Sequence, residues 1–274
     1  MVKFVKFVSM YSLKNKTGIV TGALGLIGKE HCKALAEAGA NVVVADIDKE
    51  KCEEFANSLE TESFGIAIDV TNKTSLENAR DKILEKFGHI DILVNNAAIN
   101  DMFENPKAAS EQSKFENYPL ELWQKSVDVN LTGVFLCSQV LGTEMAKQKS
   151  GSIINIASTY GITAPDQSLY IKKDGRQNFY KPPAYSATKG GVIAFTKYLA
   201  AYWGKDNVRV NTLTPGGVEN NQDEFFIEQY SKRTMLNRMA KRTDYKGALI
   251  FLASDASNYM TGANLVVDGG WTAW

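Results

Sequence analysis

Short runs of β-branched residues alternate along this chain with longer stretches of helical period. Thr17 to Thr21 (TGIVT), Asn41 to Asp46 (NVVVAD), Phe64 to Asp69 (FGIAID) and Asp91 to Val94 read as strands. So do Gly151 to Ala157 (GSIINIA), Val208 to Leu213 (VRVNTL) and Leu265 to Val267. Helices are expected between them, at Ile27 to Ala38, Lys49 to Leu59, Lys73 to Phe87, Leu120 to Lys147, Ala184 to Tyr202 and Tyr245 to Ala253. Several strand runs are apolar without alternation, which marks strands covered on both faces. Regular strand–helix alternation with right-handed crossovers predicts a parallel sheet between two helical layers. The expected fold class is α/β: a doubly wound, three-layer, Rossmann-like single domain.

The length of 274 residues suits one such domain. Charge is balanced, 31 basic against 31 acidic residues, so no nucleic-acid partner is expected. Cys32, Cys52 and Cys137 have no CxxC spacing, which points to reduced thiols and a cytoplasmic location. His31 and His89 are too few for a zinc site, and no metal is expected. Residues 1–12 are apolar but broken by Lys3 and Lys6, and read as an N-terminal extension, with Met10 an alternative start. No run approaches the ~20 apolar residues of a membrane span. The domain is expected over 13–274. Two irregular stretches, Asn100 to Pro119 and Ile162 to Pro183, are long enough to be functional.

The turn after the first strand is Thr21-Gly22-Ala23-Leu24-Gly25-Leu26-Ile27-Gly28. Glycines there permit a tight turn and close backbone approach to phosphate, and the next helix offers unpaired N–H groups to an anion. Asp46 ends the second strand, about 20 residues on. Its carboxylate can accept from ribose hydroxyls and repels a 2′-phosphate, so NAD is expected over NADP. Lys49 is near, and Asp48 is the better candidate to cap the following helix.

TGALGLIG at 21 to 28, Asp69-Val70, Asn95-Asn96-Ala97-Ala98, Asn130 in VDVNLTG, Ser158 in INIAS, Tyr185-Ser186-Ala187-Thr188-Lys189 and Pro215-Gly216 follow one another in this order. The ordered set resembles the short-chain dehydrogenase/reductase family over Leu13 to Trp271. The resemblance implies that Gly22, Gly25, Leu26, Ile27, Gly28, Asp46, Asp69, Val70, Asn96, Ala97, Ala98, Tyr185, Lys189, Pro215, Gly216 and Val218 hold the dinucleotide. It places Asp69-Val70 by the adenine ring and Asn95 to Ala98 along the cofactor cleft. The chain departs from the family at Leu26, where the common loop has its second glycine. Gly25 gives GxxGxxG instead, a spacing more usual in larger sugar-nucleotide-modifying relatives. Asn220 stands where the family often has Thr.

Tyr185 and Lys189 are spaced i, i+4 on one helical face. A free phenol has a pKa of ~10 and is a poor base near neutrality. A nearby ammonium and a positive nicotinamide ring favour phenolate; lowering the pKa by ~3 units needs about 4 kcal/mol. Under the resemblance Tyr185 is the acid/base, Lys189 its electrostatic partner and a ligand of the nicotinamide ribose, and Ser158 the hydrogen-bond partner of the reacting oxygen. Asn130 supports a water-linked proton path through the lysine. Ser158 could equally cap a turn, and Asn130 could bond only backbone. Gly190-Gly191 inside the helix implies close packing there.

Ser158 and Tyr185 are 27 positions apart, about twice the usual interval in the family. The extra segment carries Asp166, Gln167, Tyr170, Lys172, Lys173, Asp174, Arg176, Gln177, Asn178, Phe179, Tyr180 and Lys181. Hydrogen-bonding and aromatic groups suit a polyhydroxylated ligand, with Lys and Arg available for a phosphate or carboxylate; a surface or interface loop is the competing reading. With Tyr160-Gly161, the insert resembles a branch associated with bacterial surface-sugar and flagellin-glycan pathways, which implies a sugar-derived alcohol or ketone. Residues 218–242 are expected to form a lid, helical from Gln222 to Arg242. The resemblance also implies a homotetramer, or a dimer, paired through the helices near 120–147 and 184–202. Two other functions fit parts of the pattern: a sugar-nucleotide epimerase or dehydratase with bound NAD, and a non-catalytic NAD-binding regulatory protein.

Overall fold

A computed structural model describes residues 10–100, 110–177 and 179–274. Residues 101–109 of the first irregular stretch, Asn178 of the insert and most of the expected N-terminal extension lie outside the described residues. The chain enters the fold at Leu13, which is buried and donates its N–H to Ala38 O.

Seven parallel strands form one sheet in the order β3-β2-β1-β4-β5-β6-β7. They are β1 Thr17–Thr21, β2 Asn41–Asp46, β3 Ser63–Ala67, β4 Ile92–Asn95, β5 Gly151–Ile156, β6 Val208–Pro215 and β7 Asn264–Val267. The helices are α1 Gly28–Glu37, α2 Lys49–Asn57, α3 Lys73–Phe87, α4 Leu120–Val127, α5 Gly133–Cys137, α6 Thr143–Gln148, α7 Pro183–Trp203, α8 Glu224–Ser231 and α9 Lys246–Ala253. Successive strand residues point to opposite faces. Val20, Val42, Val44, Val94 and Ile154 pack with α1 and α9, while Ile19, Val43, Leu93, Ile153 and Val210 pack on the other side, with α3 and α7. Burial on both faces explains why the β2 and β4 runs are apolar without alternation. The strand order reverses between β1 and β4, and the crevice beyond the carboxyl ends of these strands is where such sheets bind ligands.

The predicted elements all form, with informative differences at four places. The expected Leu120 to Lys147 helix is interrupted by π-helical turns at Asp128–Thr132 and Ser138–Gly142. The third strand stops at Ala67 instead of Asp69, because the Asp69 carboxylate accepts from Thr71 N and Oγ1 and turns the chain. The last helix starts at Lys246, since Tyr245 swings its hydroxyl to Gly216 O. The lid is helical only over Glu224–Ser231; beyond it Asn237 takes a left-handed φ of 51° and Thr234 Oγ1 caps Arg238 N, which folds the segment back to a bridge between Val218 and Ala240.

Candidate active site

A cleft of about 670 Å³ runs over the carboxyl ends of β1, β4, β5 and β6. One end is built from the glycine loop. Gly22 has φ +62°, and a Cβ on it would lie 2.7 Å from Ala97 Cα. A Cβ on Gly28 would lie 2.2 Å from Gly22 O, so the helix start sits against the turn only because both are glycine. Asn96 Nδ2 donates to Thr21 O (3.0 Å) and Gly22 O (2.9 Å), while Thr21 Oγ1 accepts from Asn96 N and Ala97 N. These bonds lace β1 to β4 around the loop. Helix α1 starts at Gly28 with no side-chain cap from Ile27; Lys29 N donates to Gly25 O (3.2 Å), and the other first-turn N–H groups have no side-chain cap and suit an anion. The loop therefore fits a pyrophosphate. Leu26 lines the cleft and is not among the residues with positive φ, so the backbone there does not require glycine.

Asp46 stands at the rim, where its carboxylate accepts from Leu24 N (2.9 Å) and Ile47 N (2.8 Å). It shapes the glycine loop as well as facing the cleft. Asp48 is the helix cap, accepting from Lys51 N. Lys49 is drawn to Glu53 instead of the rim. Ile47, Asp69 and Val70 complete this end, and Ala97, Ala98, Pro215, Gly216 and Val218 line the middle. Asn95 does not line the cleft. It is buried below it, donating to Asn155 Oδ1 and Ser138 Oγ between β4, β5 and the second π turn.

At the other end Ser158, Tyr185 and Lys189 converge. Ser158, two residues beyond β5, accepts from Tyr160 N and caps a turn; Gly161 in that turn presses so closely on Lys189 that a Cβ would meet its carbonyl carbon at 2.7 Å. The close packing implied near Gly190-Gly191 is this contact, together with Leu131 against Gly191. Lys189 Nζ lies 5.9 Å from the Tyr185 ring centroid and donates to Ile156 O at 2.7 Å. Burial pushes the Lys189 ammonium down to about 8. Burial also raises the Tyr185 phenol, with a hydrogen bond to Ser158 pulling the other way. The direction is opposite to that expected from the Tyr–Lys spacing. The reason is desolvation: both groups leave water, and the lysine charge that would favour phenolate is itself disfavoured.

Asn130 sits in the first π turn, buried, with Oδ1 accepting from Ile99 N (2.8 Å) and Nδ2 donating to Ile99 O (2.9 Å). Its amide holds the loop after β4, so it bonds backbone and meets the cleft through Ile99. Asn220 is tied to Arg242 and Gln222, and of these only Gln222 lines the cleft.

The insert folds over the reaction end. Its tip, Ile171 to Arg176, is exposed, and Arg176 is ion-paired with Asp174. Tyr170 and Lys181 enter the cleft. Arg233, just after α8, bonds Asp166 Oδ2 (2.8 Å) and Ser168 Oγ, joining lid to insert. Tyr230 of α8 stacks on Trp271 at 4.3 Å and accepts from Gly217 N. Among the described residues no group of His, Cys, Asp and Glu could hold a metal, and no helix is long and apolar enough to cross a membrane.

A family model described as enoyl-(acyl carrier protein) reductase matches residues 22–272. Post-translational flagellin modification protein A of Campylobacter coli is 33% identical over 94% of this chain and 99% of that protein. D-threitol dehydrogenase of Mycolicibacterium smegmatis is 33% identical over 96% and 95%. The chain belongs to the short-chain dehydrogenase/reductase family. A crystal structure of a gluconate 5-dehydrogenase from Burkholderia cenocepacia, in complex with NADP and tartrate, superposes with a TM-score of 0.86 at 30% identity, covering 98% of this chain and 99% of that one. The protein is thus a dehydrogenase/reductase acting on alcohols and ketones with a nicotinamide cofactor.

Several residues of this short-chain dehydrogenase/reductase site carry no local sequence signal. Tyr245 and Tyr230 reach the Pro215–Val218 strap from 29 and 13 residues away, and Gln222 closes on Val218 O through its side chain. Thr21 and Ile156 act through a hydroxyl and a carbonyl that motif spacing does not reveal.

Proposed function

We propose that this protein is an NAD-dependent dehydrogenase of a sugar-derived secondary alcohol, with Tyr185 as acid/base. The observation that carries the reading is the convergence of Tyr185, Ser158 and Lys189 at one end of a cleft whose other end is the glycine loop. When bound, the nicotinamide supplies the hydride acceptor. Ser158 and Tyr185 hold the carbinol oxygen between them, and the Tyr185 phenolate takes its proton as the C–H hydride leaves. Lys189, fixed by Ile156 O, holds positive charge near the phenol. Asn130 positions Ile99 at the cleft wall. Gly22, Gly25, Leu26, Ile27 and Gly28 cradle the pyrophosphate, and Asp69, Val70, Asn96, Ala97, Ala98, Pro215, Gly216 and Val218 wall the dinucleotide.

NAD is favoured over NADP because Asp46 faces the adenosine end and no lysine or arginine is among the described residues lining it. A sugar-derived substrate is favoured by Tyr160, Tyr170, Gln222 and Tyr230 around the reaction end, and by relatives named for threitol, gluconate and flagellin modification. We take 13–274 as the catalytic domain, 162–183 as the substrate loop and 218–242 as the lid. A homotetramer, or a dimer, is supported by exposed Phe135, Tyr198 and Tyr202 on the faces of α5 and α7. Three unpaired buried cysteines suit the cytoplasm. A reduction screen of NAD against NADP over polyols, aldonates and amino sugars tests the reading: NADH formation supports it, and a preference for NADP overturns the role given to Asp46.

A further inference from the structure

Among the described residues, four phenols line the cleft: Tyr160, Tyr170, Tyr185 and Tyr230. Tyr185 is hydrogen-bonded to Ser158, and Tyr230 accepts from Gly217 N at 2.6 Å. The other two meet each other. Their hydroxyls lie 3.4 Å apart, and among the described residues neither has a second hydrogen-bond partner. A strong O–H···O bond spans roughly 2.5–3.0 Å, so the two hydroxyls are not locked together and a third oxygen can bridge them.

The chain holds each phenol in place. Tyr160 stands in the turn after β5, and its N–H donates to Ser158 Oγ at 3.2 Å. Its ring is buried in a cluster with Leu169, Met239 and Trp271. Tyr170 comes from the insert, at the end of the short turn Gln167–Tyr170. Asp166 caps that turn through Ser168 N, and Arg233 of the lid bonds Asp166 in turn. The Tyr170 ring meets Phe179 edge-on at 4.8 Å and Phe226 of α8 at 5.8 Å. One hydroxyl is therefore tied to the serine of the reaction centre. The other belongs to the segment that lengthens the Ser158–Tyr185 interval. Burial pushes the Tyr170 phenol up to about 12 and raises that of Tyr160 as well, so both stay protonated near neutrality.

We propose that the Tyr160–Tyr170 pair binds a second hydroxyl of the substrate, on the carbon next to the carbinol, and makes the enzyme selective for vicinal diols over monoalcohols. The assignment rests on the reading of Tyr185 and Ser158 as the groups that hold the reacting oxygen. Two phenols carry two O–H donors, and the contact between them uses one. The second donor, and acceptor lone pairs, are left for the cleft. A ligand hydroxyl both donates and accepts, so it completes the pair; an alkyl group would leave a desolvated donor unpaired, which is costly. Adjacency to the carbinol follows from Tyr160 standing two residues from Ser158, with its N–H on Ser158 Oγ. Tyr160 and Tyr170 are in this account specificity-determining residues and take no proton.

The test compares kcat/KM for threitol, erythritol and 2,3-butanediol with kcat/KM for 2-butanol. The wild type should favour at least one diol by about 10- to 100-fold, the scale of two neutral hydrogen bonds. Tyr170→Phe keeps the ring against Phe179 and Phe226 and should cut that preference several-fold. Tyr160→Phe combined with Tyr170→Phe should bring the ratio close to one. Damaged packing would lower diol and monoalcohol together and leave their ratio, so the ratio separates specificity from a structural role. NADH affinity, measured on each variant, confirms that the fold persists; if the double variant loses it, Tyr170→Phe decides by the same ratio. If no diol exceeds 2-butanol in the wild type, or if the wild-type ratio survives in these variants, the proposal is wrong. Tyr185→Phe separates the two claims: it should abolish turnover while its NADH complex still binds threitol more tightly than 2-butanol. Turnover surviving in that variant overturns the acid/base reading, whereas equal binding of threitol and 2-butanol overturns the diol site.

Discussion

Lys189 Nζ donates a 2.7 Å hydrogen bond to the carbonyl of Ile156, the last residue of β5 and two before Ser158. The bond fixes the lysine under the cleft while burial disfavours its charge. Its ammonium titrates near 8 in the fold, against 10.5 ordinarily. Between these values the unfolded chain binds a proton that the folded chain does not, so stability rises with pH through this window and is lost as pH falls through 8. Lys189→Met removes the effect. Chemical denaturation from pH 7 to pH 10.5 should show wild type gaining roughly 3 kcal/mol relative to the variant. A constant difference between the two would show that Lys189 keeps its ordinary proton affinity.

His31 raises a similar issue at the acid side. It is buried in α1, and neither ring nitrogen has a hydrogen-bond partner. Burial pushes its pKa down to about 4 from 6.5. The neutral ring is the folded form, so its contribution is complete above pH 6.5 and is lost as pH falls toward 4. His31→Leu should therefore flatten the acid limb of stability by about 3 kcal/mol over that range. Melting curves of both proteins at pH 4.5 and 7 check this; parallel losses would contradict it.

Asp46 has two duties, bracing Leu24 N and Ile47 N and presenting charge at the rim. Asp46→Ser combined with Ile47→Arg should raise kcat/KM for NADP by more than tenfold and lower it for NAD by a similar factor. Loss of the brace should also lower stability, by about 1–3 kcal/mol. Unchanged cofactor selectivity in the double variant would show that Asp46 does not read the ribose.

Phe195, Tyr198 and Tyr202 stack in sequence along α7 at 6.4 and 6.1 Å, with Phe135 of α5 beside Phe195. Tyr198 is 62% exposed and Tyr202 57%, a large aromatic face to leave in water. Tyr198→Glu should shift the sedimentation coefficient toward the monomer. A wild-type monomer at micromolar concentration would remove the basis for the proposed assembly.

The sheet was legible in the sequence because its central strands are covered on both faces and carry apolar runs without alternation; Asn41–Asp46 and Thr17–Thr21 fall where the pattern places them. The ends were less legible, because side chains set them: Asp69 cuts β3 short and Tyr245 delays α9. Glycine spacing and Tyr-x-x-x-Lys marked the cleft, since local geometry demands those residue types. The direction of the Tyr185 shift was not readable, because desolvation depends on what covers the phenol. Nor could periodicity show that Lys181, and not Lys172, Lys173 or Arg176, lines the cleft, with its backbone held by Gln167, 14 residues away. The π turn around Asn130 lies inside a seamless helical pattern, and nothing in the sequence signals it.

The central claim is that Tyr185 moves the carbinol proton while a hydride is lost to NAD. The direct measurement is the rate of net NADH formation with a turned-over polyol or aldonate, for wild type and for Tyr185→Phe. The account predicts stoichiometric NADH from wild type and a fall in kcat of at least about 10³-fold in the variant, the combined scale of general-base catalysis and lost oxyanion support, with NADH affinity unchanged. Turnover without net NADH, or a variant that keeps wild-type kcat, would contradict it.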